Sequence, residues 1–148
     1  MNDDLSVVRF KLRIQVHSKS FLSQRARNRI FQLAKIDFSM EPWMPTLIAI
    51  LWIETSERPK MIRGIEWIAH FILRQNTTCG HFQMTNAPFN FEASVKEVVR
   101  RLIQNRCVPI FDQSSADHVA QVWHGAATRQ SGESIGYGQA LWITFQLA

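Results

Sequence analysis

Glu54 closes a segment, Thr46-Leu-Ile-Ala-Ile-Leu-Trp-Ile-Glu54, in which Leu47 to Ile53 is unbroken apolar sequence. At helical spacing it shares a stripe with Leu47, Ile50 and Leu51. A carboxyl group there gives up water and faces the negative end of the helix dipole, and both effects disfavour its ionised form. Cleavage of a glycosidic bond needs such a group, because the leaving sugar oxygen takes up a proton as the C–O bond breaks. The residues also allow a plainer account, in which Glu54 lies just past the helix, solvated beside Ser56 and Arg58.

Glu66 stands three residues after Arg63 and four before His70, spacing that suits pairing along one helix face. In the functional account Arg63 and Glu66 brace a cleft beside Glu54. His81, His118 and His124 have no metal-binding spacing, so no metal and no cofactor is expected, and surface or cleft-lining roles fit them better. Of the five tryptophans, Trp52 and Trp142 are assigned to the core, whereas Trp67 and Trp123 are open to sugar stacking.

These residues need elements to hold them. Arg9 to His17 alternates strictly, with Phe10, Leu12, Ile14 and Val16 on one side, which is the period of a half-buried strand. Ser20 to Lys35 reads as a helix with Phe21, Ile30, Phe31 and Ala34 as its apolar positions. Pro45 and Thr46 suit the start of a central helix, apolar all round and therefore buried. A helix over 60–74 follows, then a non-helical connection over 75–88 with a strand-like centre at Gly80 to Met84. Phe91 to Asn105 is amphipathic, turning Val95, Val98, Val99, Leu102 and Ile103 inward. Ser114 or Ser115 is expected to cap the next helix, and the last runs from Tyr137 to Leu147. The expected fold is mainly α with a small β element (α+β). Residues 1–40 form a basic strand-helix extension packed on a core domain of residues 41–148.

The chain has 148 residues, 46% of them apolar, and can bury a core without staples. Cys79 and Cys107 allow one bridge or two buried thiols; they make neither a disulfide framework nor a zinc spacing. The acidic start, Asn2-Asp3-Asp4, does not resemble a secretory signal, and no stretch is long enough for a transmembrane segment. A substrate in the periplasm or cell wall would then be reached by another export route, or as a phage or effector protein. A formal charge of +5, with nearly half of the Lys and Arg before Met40, favours polyanions: nucleic acid, anionic lipid or cell wall.

Glu54-Thr55-Ser56 after an apolar helix, followed by Gly80-His81-Phe82-Gln83-Met84, resembles the soluble lytic transglycosylases and goose-type lysozymes. In those families the catalytic glutamate ends a helix and precedes a serine, and a later glycine-x-x-glutamine-apolar strand lines the cleft. An aromatic-asparagine-x-glycine stretch then leads to a tyrosine opening the final helix. Trp123-His124-Gly125-Ala126 and Gly136-Tyr137-Gly138 stand at comparable places. The departures are Glu-Thr-Ser for Glu-Ser-Gly/Ala, His-Phe-Gln for Leu-Met-Gln, and Trp-His for aromatic-Asn.

The likeness spans about Pro45 to Leu147 and implies a lysozyme-like domain acting on peptidoglycan. Glu54 would be acid and then base at the bond between N-acetylmuramic acid and N-acetylglucosamine. Ser56, His81, Gln83, Trp123, His124 and Tyr137 would contact substrate. Lytic transglycosylases use the substrate's own N-acetyl or 6-hydroxyl group as nucleophile, so no second carboxylate is required; Asp112 and Glu133 are candidates for a hydrolytic variant. Two alternatives stand beside this. One is a peptidoglycan glycosyltransferase, although its Glu-Asp-x-x-Phe-x-x-His pattern and anchor are not present. The other is a non-catalytic polyanion-binding module using Arg9, Lys11, Arg13, Arg25, Arg27 and Arg29, for which scarce interleaved aromatics argue against nucleic acid.

Overall fold

The computed structural model describes residues 2–56, 91–131, 133 and 135–148. The protein is mainly helical. Among the described residues there are six α-helices, one 3-10 helix and no strand: α1 (Asn2–Ser18), α2 (Phe21–Ile36), the 3-10 helix Phe38–Trp43, α3 (Met44–Ser56), α4 (Phe91–Gln104), α5 (Gln113–His124) and α6 (Tyr137–Leu147).

Helix α3 is the axis of the molecule. Every residue from Thr46 to Ile53 is buried, as a helix without a polar face must be. Helices α1, α2 and α6 pack around it. Thr46, the polar member of its first turns, is satisfied by accepting the backbone N–H of Ile110 at 2.9 Å. Among the described residues Trp52 Nε1 is buried without a hydrogen-bond partner.

The segment expected as a strand is the helix α1. Phe10 and Ile14 are buried, whereas Leu12 and Val16, their supposed companions on one strand face, are 57% and 75% exposed. Spacing of four explains this. Val7, Phe10, Ile14 and His17 share one helical face, and the alternating residues between them turn outward. A period-two pattern that also contains an i, i+4 apolar pair fits either element, and packing against α3 selected the helix.

Helix α2 begins after Ser20, whose hydroxyl accepts the Ser23 N–H. Phe21, expected inward, is exposed, as is Ile103 in α4, while Val95, Val98, Val99 and Leu102 are buried. The cap of α5 is Asp112 rather than a serine. Its carboxylate accepts the Ser115 N–H at 2.7 Å, and Ser115 Oγ accepts the Asp112 N–H at 3.0 Å, a reciprocal capping box. That arrangement gives Asp112 a structural role as the cap of α5. Cys107 is a buried free thiol, and burial raises its pKa above the ordinary value. Cys79, the expected helix over 60–74 and the strand-like centre at Gly80 to Met84 lie outside the described residues.

Candidate active site

Glu54 lies in the last turn of α3, half-buried, one turn beyond the buried Ile50 and Leu51. Two donors from other helices converge on a single oxygen of its carboxyl group. The Tyr137 hydroxyl donates to Oε1 at 2.7 Å, and the Trp123 indole N–H donates to the same atom at 3.3 Å. Trp123 belongs to the last turn of α5 and Tyr137 is the first residue of α6, so one carboxyl group ties three helices together.

The chain between α5 and α6 is shaped to make this possible. Gly125 ends α5 in the left-handed region, φ 93°, and its N–H returns to the Gln121 carbonyl. The loop then folds against the start of α6, where Gly138 N–H donates to the Ala127 carbonyl at 3.0 Å. A Cβ on Gly136 would stand 2.7 Å from that carbonyl oxygen, and one on Gly138 would overlap the Asp117 carboxylate. Gly136 therefore needs glycine for close approach to backbone, whereas a side chain at position 138 would require the Asp117 carboxylate to turn away. Gln113 Nε2 locks the same corner by donating to Asp117 Oδ1 at 2.8 Å and to the Gly138 carbonyl at 3.0 Å.

Tyr137 is buried and held from behind. The His124 ring stacks on it with centroids 4.3 Å apart and 11° between planes. His124 Nε2 is 2.9 Å from Glu133 Oε2, whose other oxygen accepts the Gln130 N–H at 2.8 Å. The Glu133 carbonyl in turn accepts from Arg129 Nε at 2.9 Å. Glu133 thus stands behind His124, and His124 behind Tyr137. The sequence presented Glu133 only as a spare carboxylate; its pairing depends on how the loop closes, which no local pattern records.

A further contact lies next to Glu54. Thr55 Oγ1 is 2.6 Å from His17 Nε2 of α1 and donates to the Leu51 carbonyl at 2.8 Å. Ser56 Oγ bonds back to the Ile53 carbonyl at 3.0 Å. Read as part of a strand, His17 fell on the side opposite Phe10 and Ile14, and only the helix α1 brings it onto their face.

Of the residues the sequence assigned to a site, Glu54, Trp123, His124 and Tyr137 stand together, with Ser56 two residues beyond Glu54. Arg63, Glu66, His81 and Gln83 lie outside the described residues. Among the described residues no group of three or more His, Cys, Asp or Glu could hold a metal ion. No helix there is long and apolar enough to cross a membrane. Two clefts can be described, and Glu54 lines neither. One, of about 470 Å³, lies between the N-terminal turns of α5 and α6 and includes Gln113, Asp117, Arg129 and Gln139. The other, of about 460 Å³, lies between α1 and the end of α3, walled by Leu12, Val16, His17 and Ser56.

Compared with protein-family models, with curated proteins and with solved structures, the chain matches none.

Proposed function

We propose that the protein is a peptidoglycan-cleaving enzyme of the lytic transglycosylase or lysozyme type, with Glu54 as its general acid and base. The single observation that supports this most is the double hydrogen bond to Glu54 Oε1. An indole N–H can only donate, so Oε1 always acts as an acceptor. A proton on the Glu54 carboxyl then belongs on Oε2, to which no described residue donates. One oxygen is fixed by the protein, and in this reading the other faces the substrate, which gives proton delivery a defined direction.

In this reading Glu54 Oε2 gives its proton to the glycosidic oxygen as the bond from that oxygen to the anomeric carbon breaks. The substrate's acetamido carbonyl oxygen supports the electron-poor anomeric carbon. Glu54, now ionised, takes the proton of the 6-hydroxyl as that oxygen closes onto the anomeric carbon, or takes it from water in the hydrolytic variant. Atoms balance in both routes, and only the second consumes water. Ser56, His81, Gln83, Trp123 and His124 are the proposed substrate contacts. Tyr137 orients the acid, and a lysozyme-like arrangement, with a small β element beyond the described helices, belongs to the same proposal.

The test is chemical. Purified protein is incubated with cell-wall sacculi, and soluble products are separated and weighed by mass spectrometry. Release of muropeptides with 1,6-anhydro or reducing ends is expected. Intact sacculi with folded wild-type protein, at every pH between acid and neutral, would remove the proposal.

A further inference from the structure

The charge of this chain is not evenly spread. Up to Met40 there are eight Lys and Arg against three Asp, and from Glu41 onward nine basic residues meet nine acidic ones. The entire excess of +5 therefore belongs to the part that contains α1 and α2. On α1 this charge accompanies an unusual surface. One face, with Phe10 and Ile14, is sealed into the core, yet the opposite face is also apolar. Leu5, Val8, Leu12 and Val16 follow one another at spacings of three and four, and each is half exposed or more. At 100° per residue, Arg9 and Arg13 flank this stripe on one side and Lys11 on the other, and Lys19 continues its line past the helix end. Arg9, Lys11, Arg13 and Lys19 are all exposed.

We infer that the outer face of α1 docks on an anionic lipid bilayer surface. An aliphatic stripe between basic flanks is the chemistry of a helix lying in the interface, with Leu and Val side chains among acyl chains and Arg and Lys at phosphate depth. Other occupants fit less well. A second copy would bring Arg9 and Lys11 against their own like charges. A nucleic acid would meet four aliphatic side chains where it needs polar or stacking partners. A contiguous exposed apolar row on a soluble surface marks contact with something apolar, and here the flanking charge specifies that its surface is anionic.

The experiment is flotation of the full chain with vesicles. One set is phosphatidylcholine, and the other is equal parts phosphatidylcholine and phosphatidylglycerol. Binding is expected to the anionic vesicles and to be weaker by about tenfold or more on phosphatidylcholine alone, since the attraction of the basic flanks to the negative surface is lost. The double variant Leu12→Glu, Val16→Glu changes two exposed side chains and leaves the core intact. It should lose anionic-vesicle binding by about tenfold or more while keeping the wild-type melting temperature. Glu54→Gln should float like wild type, which separates this inference from the enzymatic one. Several outcomes overturn it: no flotation of wild type with anionic vesicles, equal flotation with both sets, or a double variant that floats like wild type. A dimer dissolved by the double variant, without vesicle binding, assigns the stripe to a second copy instead. Retention of DNA by the same face, without vesicle binding, likewise overturns it.

Discussion

The Tyr137 hydroxyl and the Glu54 carboxyl meet at 2.7 Å across 83 residues of sequence, and Tyr137 is buried where it makes that bond. The first residue of the last helix is thereby fixed to the last turn of the central one. Removing only the hydroxyl, in Tyr137→Phe, should cost about 0.5–1.5 kcal/mol of stability in urea unfolding. It should lower the rate of wall cleavage by about tenfold to a hundredfold, because the acid loses its orientation. A variant as fast as wild type would make the bond a tether without catalytic effect.

His124 supports Tyr137 by stacking and is itself anchored on Glu133. His124→Ala is expected to destabilise by about 0.5–1.5 kcal/mol. Combined with Tyr137→Phe, its effect on rate should be clearly less than the product of the two single effects, since both act on one carboxyl group. Multiplicative rates in the double variant would separate His124 from Tyr137.

Close approach at Gly136 is to backbone atoms, the Ala127 carbonyl and the Arg129 N–H, which no rotamer change can relieve. Gly136→Ala should therefore destabilise by about 1–3 kcal/mol. It should also weaken the Trp123 and Tyr137 contacts with Glu54, seen as a shifted indole N–H resonance for Trp123. By contrast Gly125→Ala meets no neighbouring atom, and its cost comes from the left-handed backbone alone, about 1 kcal/mol. A Gly136→Ala melting curve that overlays wild type would contradict the packing at this corner.

Glu97 on α4 carries an acid-dependent share of stability. The Arg100 guanidinium, bonded to it at 2.6 Å, and Arg101 at 3.0 Å hold its carboxyl well below the ordinary 4.5, at about 2. The folded value is the lower one, so the stabilisation is present above pH 4.5 and is lost as pH falls towards 2. Arg100 is exposed and Glu97 partly so, and Glu97→Gln should cost under about 1 kcal/mol at neutral pH and low salt. That difference should vanish below pH 2; a difference that persists there would rule out an ionic origin.

How much of this was legible in the residues differs from element to element. Tyr137–Leu147 and Phe91–Gln104 were readable because their apolar spacing admits only a helix of that length. The central helix was readable because seven consecutive apolar residues behind a proline have few other fates. Arg9 to His17 was misread, since its alternation and its Phe10–Ile14 pair are equally good local patterns and only the surface of α3 decides between them. At the site, Glu54 was nameable from its type and place, and Trp123, His124 and Tyr137 through the resemblance, but the sharing of one oxygen by Trp123 and Tyr137 was not legible in either. The roles of Glu133 and His17 were hidden for the same reason: both act through partners brought close by loop closure and helix packing.

The most direct measurement is the initial rate of muropeptide release from sacculi by wild type and by Glu54→Gln, side by side at matched concentration, with melting temperatures recorded. A glutamine at 54 still accepts from Tyr137 and Trp123 through its carbonyl oxygen but has no proton to give. Proton delivery by Glu54 predicts a folded variant slowed by about 10²- to 10⁴-fold. A folded variant that releases muropeptides within a factor of about two of wild type, well short of any general-acid contribution, would contradict it.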